Sequence, residues 1–264
     1  MKAGQKLSMQ ESSSNKGKLQ EFTKSEIYSR ITVPDNIPFI VRLDGWKFRA
    51  LSEKLETEKP FDERIAKCLA ASGRQIVKNF NPAVAYIISD EINLLFIKNY
   101  PFDGRIEKII SILSGLTSST FSLNLENFFK RTVNVSFDSR VVVLPEKDIV
   151  KYFAWRQQNG WRNHNNAYAY WLLRKLGYSP KKASEKLKGI KAKEIHELLH
   201  THGINLSKTP TWQRRGILIY KKTYERKGAK RRKIVENWEP PLFTEPNGEK
   251  LLRQIIEKAM KKNE

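Results

Sequence analysis

Asp44 follows the apolar run Ile37-Pro-Phe-Ile-Val-Arg-Leu43, and Asp90 lies between the runs Ala83–Ile88 and Ile92–Ile97. A strand ending in a carboxylate, then a helix, then a hairpin tipped by a second carboxylate, would set two acids side by side. Such a pair can hold two divalent cations about 3.5–4 Å apart, an arrangement that serves phosphoryl transfer. Asp44 supplies a hard oxygen donor suited to Mg²⁺. Gly45 lets the backbone approach a metal or phosphate closely. The amides that follow could form an anion-binding concavity for a triphosphate. An Asp-Gly pair alone also makes an ordinary turn, and so does Ser89-Asp90-Glu91. The two together, in this order of elements, point to a site.

The elements that must position these acids read as follows. Glu21–Val33 is a short helix and entry segment, and Ile37–Leu43 a buried strand. Lys59-Pro60 opens a helix, with Pro60 in its first turn. Phe61, Ile65, Leu69, Ile76 and Phe80 recur at helical spacing, which gives it one buried face. Asn81-Pro82 stops it. Val84–Ser89 and Ile92–Phe96 form a hairpin joined at Asp90-Glu91. Pro101–Leu125 is a second helix, with Ile106, Ile109, Ile110, Leu113 and Leu116 inward, and Arg140–Leu144 is a strand closed by Pro145. The order strand–helix–strand–strand–helix–strand is the split βαβ arrangement, so the expected class is α+β: a ferredoxin-like polymerase palm (βαββαβ) with a helical C-terminal region. The fold assigns no function by itself, so the carboxylates must.

After Pro145 the pattern turns helical, with candidates at Glu146–Arg156, Asn163–Leu176, Ser179–Lys188 and Lys191–His202. Gly216–Lys221 is a late strand. Lys227, Lys230, Arg231, Arg232 and Lys233 form a basic segment, read as a solvated tail or an RNA contact. Pro240-Pro241 links to a final amphipathic helix, Gly248–Lys261, with Leu251, Leu252, Ile255 and Ile256 on one side. The expected organisation is a disordered leader over 1–20, a palm catalytic domain over 21–145, and a mainly helical region over 146–264. Met1–Gly17 is polar and Ser-rich, without an apolar signal core.

The chain has 264 residues, 39% of them hydrophobic, enough for one large domain or two small ones. Lys and Arg outnumber Asp and Glu by 49 to 28, a net charge of +21. That surface attracts polyanions at long range. Six Trp and nine Tyr could also stack on unpaired bases. The single cysteine, Cys68, excludes an intrachain disulfide and a cysteine-rich zinc site, and fits a reducing cytoplasm. No stretch approaches 18 apolar residues, so no membrane span is expected.

The sequence resembles the tRNA-histidine guanylyltransferase family, and more closely its archaeal/bacterial Thg1-like branch of 3′→5′ polymerases. The blocks that carry the resemblance are Val-Arg-Leu-Asp-Gly (41–45), Glu-Lys-Pro (58–60), Ser-Asp-Glu (89–91), Phe-Asp-Ser-Arg-Val-Val-Val-Leu-Pro (137–145), Trp-Arg-Gln (155–157) and Trp-Gln-Arg-Arg-Gly (212–216). The resemblance implies that Asp44, the Gly45 carbonyl and Asp90 bind two Mg²⁺ ions, with Ser89 and Glu91 supporting them. Lys59 and the amides of Gly45, Trp46, Lys47 and Phe48 would hold the triphosphate of an activating ATP or GTP. Arg105 and Lys108 would contact a second triphosphate. It implies too that the partner is tRNA, whose 5′ phosphate is activated and then attacked by the 3′-hydroxyl of an incoming nucleotide, and that the assembly is a homotetramer, a dimer of dimers. Two departures stand out. Trp161-Arg-Asn-His164 replaces the His-Ile-Asn-Asn signature of the eukaryotic branch, which favours templated addition, including repair of 5′-truncated tRNA. Trp46 stands where many relatives have Arg.

Other readings compete. His196-Glu-Leu-Leu-His200 matches the HExxH pattern of zinc hydrolases, although the third ligand of the longer pattern would fall on Leu206. A non-catalytic basic RNA-binding protein explains the charge but not the two carboxylates, which repel phosphate unless a cation intervenes. A nucleotide cyclase shares the carboxylate geometry but not the later Trp-Arg-Gln and Trp-Gln-Arg-Arg blocks.

Overall fold

The computed structural model describes residues 22–226 and 228–261. The expected leader over 1–20 and Lys227 lie outside the described residues. Strand β1 (Phe39–Gly45) is followed by helix α1 (Phe48–Lys54) and helix α2 (Glu63–Phe80), then by the hairpin β2 (Val84–Ile88) and β3 (Glu91–Phe96). Helix α3 (Ile106–Phe129) returns the chain to strand β4 (Phe137–Val143). Then come α4 (Ile149–Lys175), α5 (Pro180–Leu187), α6 (Ala192–Thr201), α7 (Thr211–Arg215), β5 (Ile217–Arg226), β6 (Ala229–Asn237) and α8 (Pro246–Met260).

The strands form one sheet in the order β4-β1-β3-β2-β5-β6, with every pairing antiparallel. Its first four strands are the expected palm. β1 begins apolar on both faces because both are covered there: Phe39, Val41 and Leu43 face α2 and α3, while Ile40 faces α4 and α8. Asp62 caps α2 by accepting from the Arg64 amide, and Asn81, left-handed at φ 52°, ends it before Pro82. Cys68 is fully buried on α2, and burial pushes its thiol up to about 12.

Several expectations need correction. The helix expected from Lys59 begins at Glu63, because Asp62 is the cap. The two helices expected over 146–176 are one 27-residue helix, α4. Residues 157–162 carry it through, and Gly160 has a packing role within it. A Cβ there would collide with the Ile88 side chain, so the missing side chain lets α4 lie directly on β2. The C-terminal half is also less helical than expected, for β5 and β6 extend the palm sheet. The basic segment is therefore neither tail nor loop: Lys230–Lys233 lie in β6, paired with β5. Since β2 pairs with β5 only through Tyr220, and Ile234 still packs on the core, Lys222–Arg226 and Ala229–Lys233 continue as a two-stranded ribbon.

Candidate active site

β1 and the β2–β3 turn end at the same level of the sheet. Asp44 is in register with Glu91 on β3 and with Asp138 on β4. The turn closes over this end because Ser89 adopts a left-handed conformation (φ 56°), and the Gly45 amide donates to the Asp90 carbonyl at 3.1 Å. One hydrogen bond thus ties the two carboxylate-bearing loops together. The Asp44 side chain is 38% exposed, with Arg42 Nη2 no nearer than 4.0 Å. Burial pushes the Asp90 carboxyl up, and the negative charge of Asp44 pushes it further, against the Ser89 hydroxyl and its own backbone amide. A like charge so close makes the Asp90 carboxyl harder to ionise. The donor set, hard oxygens on adjoining loops, fits Mg²⁺.

Glu91 stands behind this pair, on the α4 side of the sheet. Its carboxylate is buried and occupied: Asn93 Nδ2 donates to Oε1 at 2.6 Å and Arg156 Nε at 2.8 Å, while Arg156 Nη2 holds Oε2. Arg42 Nε lies 3.5 Å from Oε2. Tyr152 in turn donates to Asn93 Oδ1 at 2.8 Å. Burial pushes the Glu91 carboxyl up, and Asn93, Arg156 and Arg42 offset part of that. Glu91 therefore clamps α4 to the palm behind the carboxylate pair, so it belongs to the support of the site. Sequence reasoning missed Arg42, Asn93, Tyr152 and Arg156, although Arg42 and Arg156 sit inside blocks already singled out. Strand register supplies the missing step, because it puts Arg42, Asp44 and Glu91 on the α4 face.

The loop after Asp44 is held open by its packing. A Cβ at Gly45 would collide with the Phe48 ring, which packs on Phe121 and Phe137. Of the four amides expected to hold a triphosphate, Gly45's donates to Asp90 and Trp46's to Ser136 at 2.9 Å. That leaves Lys47 and Phe48, at the head of α1. Trp46 is 59% exposed, and Lys47 Nζ sits 4.2 Å from its ring centroid.

Ser89 and Asp90 also form one wall of a cavity of about 250 Å³. Its apolar lining includes Phe48, Leu51, Ile65 and Ile87, and Trp212 and Gln213 of α7 also line it. Lys59 stands beside it: Nζ donates to Ser52 Oγ and to Thr57 Oγ1, the latter at 3.1 Å. Burial lowers the Lys59 pKa, while Glu53 and Asp62 pull it back up.

Arg105 and Lys108 are not brought to this place. They sit at the head of α3, beyond the end of β3, where Tyr100 packs on Phe39. Phe39 opens β1 and Asp44 lies near its close. At about 3.4 Å per residue the two ends are roughly 17 Å apart. The HExxH histidines lie elsewhere again, on the exposed side of α6. His196 Nε2 meets Asn165 at 3.3 Å, and Leu206 is core between α4 and α6. Among the described residues, no three His, Cys, Asp or Glu converge as a metal centre, so the zinc reading lacks a third ligand.

Residues 19–145 match the family model "tRNAHis guanylyltransferase", and residues 147–262 the model "Thg1 C terminal domain". The chain is 34% identical over 194 residues to tRNA(His) guanylyltransferase 2 of Arabidopsis thaliana, an alignment that covers 70% of this chain and 36% of that protein. It thus spans little more than a third of that relative's length. It is 30% identical over 209 residues to the probable tRNA(His) guanylyltransferase of Drosophila melanogaster, covering 76% and 73% of the two chains. Among solved structures it is similar to a bacterial tRNA(His) guanylyltransferase (Thg1)-like protein in complex with ATP, with a TM-score of 0.72, 26% identity, and 90% and 98% of the two chains covered.

Proposed function

Because the chain belongs to the tRNAHis guanylyltransferase family, we propose that it adds nucleotides to the 5′ end of tRNA. Addition runs 3′→5′ against a template, after activation of the 5′ phosphate by ATP or GTP. The observation that carries this reading is the Gly45–Asp90 hydrogen bond at 3.1 Å, which closes two carboxylate loops beside a cavity large enough for a nucleobase. A non-catalytic RNA binder has no use for that pairing.

In this reading Asp44, Asp90 and the Gly45 carbonyl hold Mg²⁺, which supplies charge neutralisation on the phosphates and eases ionisation of the attacking hydroxyl. The cavity takes the base of the activating nucleotide against its apolar residues Phe48, Leu51, Ile65 and Ile87. The amides of Lys47 and Phe48 and the Lys59 ammonium meet its phosphates, and Ser89 holds the Asp90 turn. Glu91, held by Arg42 and Arg156, fixes β3 and hence the position of Asp90. Trp46 presents an aromatic face beside the carboxylates, where a cationic side chain would instead meet phosphate. The palm performs the chemistry and the C-terminal region, with its basic β5–β6 ribbon, holds tRNA. No helix among the described residues is long and apolar enough to cross a membrane, and we place the protein with its tRNA in the cytoplasm. The exposed Ile112 and Leu123 of α3 and the free edge of β4 support association into the expected homotetramer.

The test is incubation with a 5′-truncated tRNA transcript, labelled nucleotides and Mg²⁺, followed by mapping of the new 5′ terminus. Extension that copies the opposing strand supports templated addition. Asp44→Ala and Asp90→Ala should each abolish it while tRNA affinity stays nearly intact. Normal turnover in either variant would remove the carboxylates from the mechanism.

A further inference from the structure

α7 carries Trp212, which lines the cavity together with Ser89 and Asp90. It has five residues and none of them is buried, so its own apolar packing does little to fix it. Its C-terminal end is fixed from outside. Gly216 closes it at φ 79°, and a Cβ there would run into the Ile87 carbonyl. Ile217 then pairs with Ile87 on β2, three residues before Asp90. The Arg215 carbonyl accepts two hydrogen bonds, from the Tyr86 hydroxyl at 2.9 Å and from Gln157 Nε2 at 3.1 Å. Tyr86 is fully buried on β2, its ring in T-shaped contact with Phe153 and Phe243. Gln157 is buried on α4. Its amide also donates to the Pro241 carbonyl at 3.2 Å and accepts from the Phe243 amide at 2.7 Å. Each of these partners is a backbone group of fixed polarity, so the donor in every bond is settled. The preceding residue, Arg156, grips Glu91. Two adjacent residues of α4 thus hold β3 just after Asp90 and the end of α7.

We propose that Tyr86 and Gln157 are positioning residues for the nucleotide: through the Arg215 carbonyl they hold α7, and with it Trp212, at the cavity beside Asp90. This rests on reading the cavity as the nucleotide site. Neither side chain lines the cavity. Both act through a backbone atom three residues after Trp212, less than one helical turn away. The two bonds form only while α7 lies against β2. Without them the fraction of molecules with Trp212 in place falls, and apparent nucleotide affinity falls in proportion.

Calorimetric titration of the full chain with ATP and with GTP in Mg²⁺, without tRNA, tests this, because stoichiometry counts the folded sites while Kd reports how well each is set. In Tyr86→Phe one bond is lost and Gln157 keeps the other, so Kd should rise roughly 2- to 5-fold at unchanged stoichiometry. Gln157→Met removes the three bonds of the amide at similar volume and should raise Kd roughly 10-fold or more. Trp212→Ala should also raise Kd, and Tyr86→Phe added to it should raise it no further, since the group being positioned is gone. A stoichiometry that falls in Tyr86→Phe and Gln157→Met while Kd holds means that the two residues serve only the fold, and overturns the proposal. So does an unchanged Kd in Tyr86→Phe, or an effect of Tyr86→Phe that persists without Trp212. In each of these cases the raised Kd of Trp212→Ala leaves the nucleotide site standing. A Kd that Trp212→Ala does not move, or no binding to wild type, overturns the cavity reading and the proposal together. Should Gln157→Met fail to fold, Tyr86→Phe in the two backgrounds decides alone.

Discussion

Asp44 and Glu91 are cross-strand neighbours with opposite circumstances, and stability measurements should separate them. Glu91 pairs with two largely buried guanidiniums, those of Arg42 and Arg156. Glu91→Ala leaves Arg42 with only the more distant Asp44 and Arg156 with no carboxylate partner among the described residues, and should cost about 3–5 kcal/mol in urea unfolding. Asp44→Ala removes a repulsion on Asp90 and should cost less than about 1 kcal/mol in metal-free buffer, while abolishing nucleotide addition. Equal losses in the two variants would contradict the separate roles. A third residue carries a pH signature. His164 is fully buried on α4, and burial lowers its pKa to about 4, with Arg214 and His196 adding to the shift and Asn165 opposing it. The unfolded chain takes up its proton near 6.5, so the buried neutral ring adds stability above that pH. That contribution is lost as pH falls from about 6.5 to about 4, and amounts to about 3 kcal/mol in all. Comparison of urea midpoints at pH 7 and 5 should show a steeper acid loss for wild type than for His164→Gln. At this scale Asp44 and Asp90 were legible in the sequence, because each interrupts an apolar run at a strand end. The partners that hold Glu91 were not, since the face a residue takes follows from register, which only the paired strands fix.

Helices and strands repeat the lesson one level up. The palm elements were legible because their apolar residues recur at clear periods. β6 was not, since Lys230–Lys233 offer no apolar alternation and its pairing partner alone makes it a strand. Within α4, Gly160→Ala tests whether packing or propensity rules. Alanine gains about 1 kcal/mol in an exposed helix, but the collision with Ile88 should cost about 1–3 kcal/mol, so a lower melting temperature is expected. In the ribbon, Lys222 lies directly opposite Lys233, and like charges so placed disfavour pairing. Lys233→Glu should therefore steady the ribbon by about 0.2–1 kcal/mol. It should also weaken tRNA binding and flatten its salt dependence by about one to two units of slope, read from a log–log plot of affinity against salt.

For the molecule as a whole, the charge of +21 already indicated a polyanionic partner, and one continuous sheet joins the two halves that the sequence had divided near residue 145. The placement of Arg105 and Lys108 at the remote end of their own palm has a consequence for cooperation among copies. A triphosphate lying at Asp44 and Asp90 is out of their reach within one chain, so any service they give such a ligand must be rendered to a neighbour in a closed assembly. Two crippled chains, one Asp44→Ala and the other carrying Arg105→Ala with Lys108→Ala, should then rescue each other. Each is inert when pure, yet mixed oligomers refolded together should regain activity, because some interfaces unite an intact acidic centre with an intact basic one. A mixture as dead as its parents would mean that the basic pair does its work at home.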